Sequence, residues 1–372
     1  MSHAKLAPSA AERWTKCTAS PTASEGIPDT TSIHAVRGTI LHDIAASQLQ
    51  GENIHPEAGD TLRQEGHEYT ITSDDMDAVK YYVDYVRWLA NEAAKESGPG
   101  VSMHVEQKYD MRSFIPEGFG TSDAVILEPL ATLTVADAKF GSGRVMADSL
   151  QLAIYALGVL DQYHPDNFFQ KVKTVIVQPM LKHVDVHEYT IEELETIRTF
   201  VAGKAKEAFE GPGTFTPGDH CQWCPAKPCR AMVELAFSKV EDPTVSDDPK
   251  ELAEQLKIVS VLEIFIKQVK AKSFAVMSAG AKLPGYKLVA GRNTRKWADE
   301  QKLVEYLDMF GVDQDTIFDT KIKSPAQLEK VLKGQDVELD GYIENVPGQP
   351  TIAPEKDRRK EIKPADLVFE KR

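Results

Sequence analysis

The stretch "VADAKFG", residues 135–141, constrains the fold of this chain more than any other. It continues a run of apolar and small residues that reads as a buried strand, yet it ends on a carboxylate and an ammonium. Asp137 and Lys139 are two positions apart, so in an extended chain both side chains leave the same face. An isolated D-x-K would be a surface ion pair. Asp123, early in "GTSDAVIL", changes that reading. "GTSDAVILEP" and "ATLTVADAK" read as a hairpin with its turn near residues 128–131, which brings both carboxylates to one end of a sheet. Carboxylates that close repel each other unless a cation separates them. A hard divalent ion with oxygen ligands, Mg2+ or Mn2+, suits such a place. Lys139 beside it could orient a bound water or stabilise charge on a phosphoryl group.

The rest of the chain supplies the frame. Ser9 and Glu12 have capping-box spacing, which predicts a short helix from Ala10 towards Cys17. Ile33, Val36, Ile40 and Ile44 fall at helical spacing before Gly51, and Met76, Val79, Val83, Val86 and Leu89 mark a second long helix. "VSMHVEQKY" alternates as a strand. Beyond "GSGR" a helix is expected over about 146–162, then strands "VKTVIVQPM" and "HVDVHEYT", then a helix over 191–210. This order predicts an α/β or α+β fold of the restriction-endonuclease-like kind, a mixed sheet flanked by helices. With 372 residues two domains are expected, and the polar "EDPTVSDDPK" divides them into 1–240 and 241–372. The second holds a long helix over 251–277, a hairpin in "GYKLVAGRNTRKW", two shorter helices near 299–310 and 325–332, and an extended, charged, Pro-rich tail.

Three further side chains join the carboxylates. His42 lies on its helix away from the apolar stripe. Gln151 and Tyr155 are i, i+4 on the helix that follows the lysine, so they share a face. Glu106 should point away from the apolar face of its strand, as a site residue or as a solvated glutamate. Arg144, in the "GSGR" loop, could meet a phosphate. The net charge of −14 argues against a generic polycation coating nucleic acid but leaves room for a local basic groove. "RNTRK" at 292–296 and "KDRRK" at 356–360 are short charge runs of the kind that usually form solvated faces. No apolar run is long enough for a bilayer and "MSHAKLAPSAAERW" has no signal-peptide core, so an intracellular protein without a membrane partner is expected.

The four cysteines are Cys17, Cys221, Cys224 and Cys229. In "HCQWCPAKPC" the spacing is C-x2-C-x4-C, and three thiols packed this closely point to a metal. With Cys17 they could complete a tetrahedral zinc site or a [4Fe-4S] cluster. His220 could replace Cys17 in a local Cys3His zinc site.

The order Gly38–His42, Gly120–Asp123, Asp137–Lys139 and Gln151–Tyr155 resembles the RecB-like branch of the PD-(D/E)xK nuclease superfamily over roughly residues 1–235. The resemblance implies that His42, Asp123 and Asp137 bind the catalytic metal. It also implies that Lys139 is catalytic, supported by Gln151 and Tyr155. Beside these, Glu106 is a candidate for supporting the ligands or holding a second metal, Arg144 for contacting a phosphate next to the cleavage site, and Arg37 for contacting DNA. One N-terminal cysteine and three after the core are similar to the iron-sulfur exonucleases of that branch, where a cluster staples the first helix to the end of the domain. The start "LAPSAAERWTKC" and the basic tail also resemble an uncharacterised phage and prophage family. That implies a recombination or replication exonuclease in the cytoplasm of a bacterial host. Its expected partners are DNA and a single-strand-binding or annealing protein, with further copies of the chain as another option. Two alternatives stand beside this: a non-catalytic DNA-binding or assembly protein that keeps the fold, and a zinc-stapled endonuclease.

Overall fold

The alternation that marks residues 101–138 as strands builds the centre of the first of two units, Met1–Phe265 and Ile266–Arg372. The structure is a computed structural model. It describes residues 4–27, 32–52, 56–64, 66–163, 168–240, 245–318, 322–332, 339–354 and 361–362. In chain order the first unit contains α1 (Ala11–Lys16), α2 (Ser20–Ala23), α3 (Ile33–Gln50), β1 (Thr61–Gln64), β2 (His67–Thr70) and α4 (Ser73–Ser97). There follow β3 (Ser102–Asp110), β4 (Phe119–Leu127), β5 (Thr132–Ala138), α5 (Leu150–Tyr163), β6 (Lys171–Gln178), β7 (His183–Thr190), α6 (Ile191–Glu210) and α7 (Arg230–Val240).

The helix ends follow local chemistry. Ser32 caps α3 by accepting the Ala35 N–H, and Gly51 closes it in the left-handed region. Thr72 and Asp75 form a reciprocal capping box at α4, as Thr190 and Glu193 do at α6. The box expected from Ser9 and Glu12 does not form. Pro8 opens a tight turn over Pro8–Ala10, so Ala10 precedes the helix and no side chain caps it.

Strands β3 to β7 form one sheet in sequence order. All neighbours are antiparallel except β5 and β6, which run parallel because α5 carries the chain back across the sheet. Trp14, Val135, Leu152, Ile176 and Ala205 belong to the core on one face, shared by α1, α5 and α6. Ile40, Val83, Ala136, Ala138 and Val177 belong to the core on the other, shared by α3 and α4. Successive residues of β5 thus serve opposite faces, as the pleat requires. The fold is the expected mixed sheet flanked by helices.

A long helix, α8 (Pro249–Ser278), leads into the second unit, which holds β8 (Tyr286–Trp297), α9 (Glu300–Met309), α10 (Gln314–Ile317), α11 (Pro325–Val331) and β9 (Ile343–Pro354). The expected hairpin within 285–297 is instead one strand paired antiparallel with β9. The glycine and asparagine that suggested a turn fall at register shifts on either side of Gly291. Leu303, Leu307, Leu328 and Leu332 belong to a small core of their own. The side chains of 292–296 lie outside the described residues, as do His55, His164 and 356–360.

Candidate functional site

The pairing of β4 with β5 runs from Leu127–Leu133 to Ala124–Ala136 and stops there. Asp123 and Asp137 are the next residues on each strand, at the point where the two strands part. The Ala138 N–H donates to Asp123 Oδ2 at 2.8 Å, so a side chain satisfies a backbone donor that the ladder has left. The same oxygen lies 3.2 Å from His42 Nδ1. On β3, Glu106 sits between the register pairs Val105–Ala124 and Gln107–Ser122, hence beside Asp123, with φ of 49°. That left-handed conformation is costly for a residue with a Cβ and locally breaks the strand's alternation. Ligand atoms of His42, Glu106 and Asp123 lie within 4.8 Å of one another, a group that could hold a metal ion.

Asp137 adjoins this group but belongs to a second set of contacts. It is 3% exposed. Gln151 Nε2 donates to its Oδ1 at 3.2 Å, and Lys139 Nζ lies 2.8 Å from its Oδ2. Oδ2 makes no aligned hydrogen bond and keeps a lone pair free for a cation. Lys139 Nζ also donates to Gln151 Oε1 at 3.4 Å, and Gln151 Nε2 is 3.5 Å from the Tyr155 hydroxyl. The i, i+4 pair on α5 thus backs the D-x-K as its spacing predicts. Gly120 has a packing reason. A Cβ there would lie 2.7 Å from the Tyr155 ring and 2.9 Å from Pro8. Gly38 has none, since a Cβ at that position would meet open space.

The charges act on one another. Burial disfavours a charged imidazole at His42, but the Asp123 carboxylate beside it prevails and pushes its pKa up to about 9. Burial works against ionisation of Asp123 too, and His42 outweighs it, so Asp123 titrates below the ordinary range. Asp137 goes the other way, raised by burial and then by the Asp123 charge. Burial opposes the Lys139 ammonium, yet Asp137 raises its pKa. At the exposed rim, loss of solvent around the carboxyl and the nearby Asp123 raise Glu106 to about 7. Two carboxyls raised in this way, Asp137 and Glu106, are short of positive charge, which a divalent cation would supply.

Arg37, expected at a DNA phosphate, braces the fold. It donates to Asp75 Oδ1 at 2.7 Å, to the Phe140 carbonyl at 2.8 Å and to Met180 Sδ at 3.4 Å. Asp75 is buried and also accepts from Tyr69 and from the Thr72 N–H and hydroxyl. The Phe140 ring meets His42 edge-on at 5.2 Å. This brace ties α3 and α4 to the residue after Lys139, and sequence reasoning missed it because Arg37 and Asp75 lie far apart in the chain with no spacing rule to join them. Arg144 is exposed in the loop after β5.

The four cysteines line one cavity, with Ser20, Thr216, His220 and Met232 among its other walls. Cys17 follows α1, Cys221 and Cys224 flank the end of a tight turn over Asp219–Trp223, and Cys229 precedes α7. Backbone docking brings the distant thiol into place. The Ala19 N–H donates to the Thr214 carbonyl, the Thr214 N–H to the Thr18 hydroxyl, and the Thr18 hydroxyl to Glu207. Gly213, with φ of 65°, permits this approach, because a Cβ there would lie 2.3 Å from the Thr18 carbonyl carbon. Burial pushes the Cys17 and Cys221 thiols up. His220 also faces the cavity, and its Nε2 is 2.9 Å from the Thr216 carbonyl. Four sulfur donors fit a soft metal, whereas the nitrogen and carboxylate oxygens at the sheet fit a hard one.

Among the described residues no helix is long and apolar enough to cross a membrane. Residues 3–360, nearly the whole sequence, match one protein family, and the chain belongs to it: the family described as "Protein of unknown function (DUF2800)".

Proposed function

We propose that this chain is a divalent-cation-dependent deoxyribonuclease that hydrolyses phosphodiester bonds. The observation that carries the reading is the meeting of His42, Glu106 and Asp123 at the parting of β4 and β5, directly beside the buried Asp137, Lys139 and Gln151. One imidazole and several carboxylates fit Mg2+ or Mn2+, and the adjoining Asp137 carboxylate, whose Oδ2 also pairs with Lys139, offers a further ligand. When bound, such a cation supplies charge for a phosphoryl oxygen and lowers the pKa of a coordinated water. The chain's own residues do the remainder. Lys139, fixed by Asp137 and Gln151, places an ammonium near His42 and Asp123 and stabilises negative charge that develops on the phosphate. Gln151 bonds both partners and sets their spacing, and Tyr155 holds Gln151. Glu106, at the rim, offers a second carboxylate for a cation or a proton.

For the cysteine cavity we assign a [4Fe-4S] cluster in preference to Zn2+. Four thiols surround a cavity there, while the donors close enough to share a single ion are those at the sheet. Exonuclease action, a place in phage recombination or replication, and an annealing or single-strand-binding partner rest on the resemblance of the motifs.

The test is degradation of end-labelled linear DNA and of closed circular DNA with Mg2+ or Mn2+, alongside Asp137→Ala. The expected result is metal-dependent loss of linear DNA by the wild type only, with the labelled products reporting polarity. Equal inertness of both proteins over several metals and DNA ends would leave the non-catalytic DNA-binding reading. For the cluster, anaerobically purified protein should be brown, with broad absorption near ~400 nm. Stoichiometric zinc, with failed iron and sulfide reconstitution, would reverse that assignment.

A further inference from the structure

The loop between Lys139 and α5 is exposed at Gly141, Ser142, Gly143, Arg144 and Met146, yet its backbone is anchored from beneath. Gln178, at the end of β6, is wholly buried. Its Nε2 donates to the Gly143 carbonyl at 2.7 Å and its Oε1 accepts the Val145 N–H at 3.0 Å. One amide thus takes the two backbone groups on either side of Arg144, as a neighbouring strand would. Two more side chains fasten the far end. Asp185 accepts the Ala147 N–H at 2.7 Å, and the buried Thr174 hydroxyl donates to the Ala147 carbonyl at 2.7 Å. These bonds also explain why α5 begins at Leu150 rather than near 146, since the Ala147 backbone is already engaged. The same strand positions the reactive lysine, because the Lys139 N–H donates to the carbonyl of Val177, the residue before Gln178.

Lys139 and Arg144 therefore hang from consecutive residues of β6, joined by a span of at most roughly 18 Å of extended chain. Their surroundings differ. Lys139 is paired with Asp137, whereas among the described residues Arg144 has no carboxylate within ion-pair distance. An exposed, unpaired guanidinium on a backbone fixed at both flanks starts from a defined position, and its fork of N–H donors suits the oxygens of a phosphate. On a chain with net charge −14, a single exposed cation is not there for bulk attraction.

We infer that Arg144 holds the phosphate next to the one being cleaved, and that Gln178 is the positioning residue that aims it. This rests on the nuclease reading and sharpens it: the substrate must then carry at least two consecutive phosphodiesters, a polynucleotide strand rather than an isolated phosphate ester. Arg37 cannot share the task, since its guanidinium is occupied by Asp75 and Phe140.

Equilibrium binding of a fluorescent single-stranded oligonucleotide, without divalent metal and over a range of salt, separates this from the catalytic reading because it needs no turnover. Arg144→Ala should lower the slope of log K against log salt by about 0.7 and weaken binding about fivefold at 0.1 M salt, the effect of one lost phosphate contact. Gln178→Leu, checked for folding by its thermal transition, should reproduce most of that loss. The double variant should bind no more weakly than Arg144→Ala alone. Arg144→Lys should recover the slope but only part of the affinity, because a point charge lacks the planar fork. An unchanged slope in Arg144→Ala would overturn the inference, and so would losses from Gln178→Leu and Arg144→Ala that simply add. If wild-type binding and slope behave as stated while no metal supports cleavage, the nuclease reading fails and the phosphate contact stands.

Discussion

The two places in the first unit that suit a metal are built on opposite plans. At the parting of β4 and β5 the donors are nitrogen and oxygen, and they come from regular elements: His42 from α3, Glu106 from β3, Asp123 from β4. Around the cysteine cavity the donors are sulfur, and they come from segments between or at the ends of elements. A donor on a strand or helix is aimed by the whole core and keeps its geometry without an ion. A donor on a loop is aimed mainly by what it binds. The difference agrees with the roles proposed above: chemistry where the frame is rigid in advance, reinforcement where the ligand must supply the rigidity.

The sharpest way to break this contrast is to disable each place in turn. Lys139→Met should lower the DNA-degrading rate by about 10²- to 10³-fold, a larger effect than the thermal loss from leaving the buried Asp137 without its ammonium, as activity assays and calorimetry on one preparation will show. Cys221→Ser should do the reverse. A cross-link closing about two hundred residues contributes on the order of 5 kcal/mol, or roughly 10 °C in Tm for a unit of this size, and a loss of activity with no thermal change would count against the staple. Next in size is the brace. Asp75→Ala strands the partly buried Arg37 and should cost about 3 kcal/mol, read from denaturant unfolding, with divalent-metal affinity falling as Phe140 and His42 loosen.

Smaller effects concern protons. With its pKa raised to about 9, His42 is protonated at pH 7 in the metal-free protein, so a cation must displace that proton. Mn2+ affinity should climb between pH 6.5 and 9 and level off above, and titrations in buffers of different ionisation heat should detect about one proton released at neutral pH. The sign for stability is opposite. The His42–Asp123 pair contributes below the unfolded value near 6.5, and that contribution is lost as pH rises through about 9. At the other place, Glu207 is held at about 2 by the Thr18 hydroxyl, then by Thr214 and Lys204. Its contribution is present above about 4.5 and lost as pH falls towards 2. Glu207→Gln should therefore flatten acid unfolding over that window, the slightest change of the set.

Much of the frame was legible because it depends on short-range rules. The period of two in 101–138, the Ser32 and Gly51 ends of α3 and the 191–210 helix all follow from neighbours in sequence. So did the backing of Lys139 by Gln151, a consequence of helical spacing. What escaped depends on partners far away. Nothing near Glu106 announces a left-handed backbone, since Asp123 and His42 become its neighbours only across the sheet. Arg37 read as a free cation because Asp75, its partner, stands thirty-eight positions away with nothing local to link them. Gln178 read as an ordinary strand residue, and its two bonds to the 143–145 loop arise from the parallel β5–β6 crossover. The 285–297 segment carried turn residues, but β9 was too distant in sequence to weigh against them.

The seating of Leu6 and Trp14 among residues of α5 and α6 has a consequence for synthesis. Those side chains leave the ribosome long before α6 does, and their pocket is complete only after some two hundred more residues have emerged. At ~5–20 residues per second that interval is on the order of ten to forty seconds. Through all of it the nascent chain exposes an indole and a leucine to whatever chaperone waits at the exit tunnel.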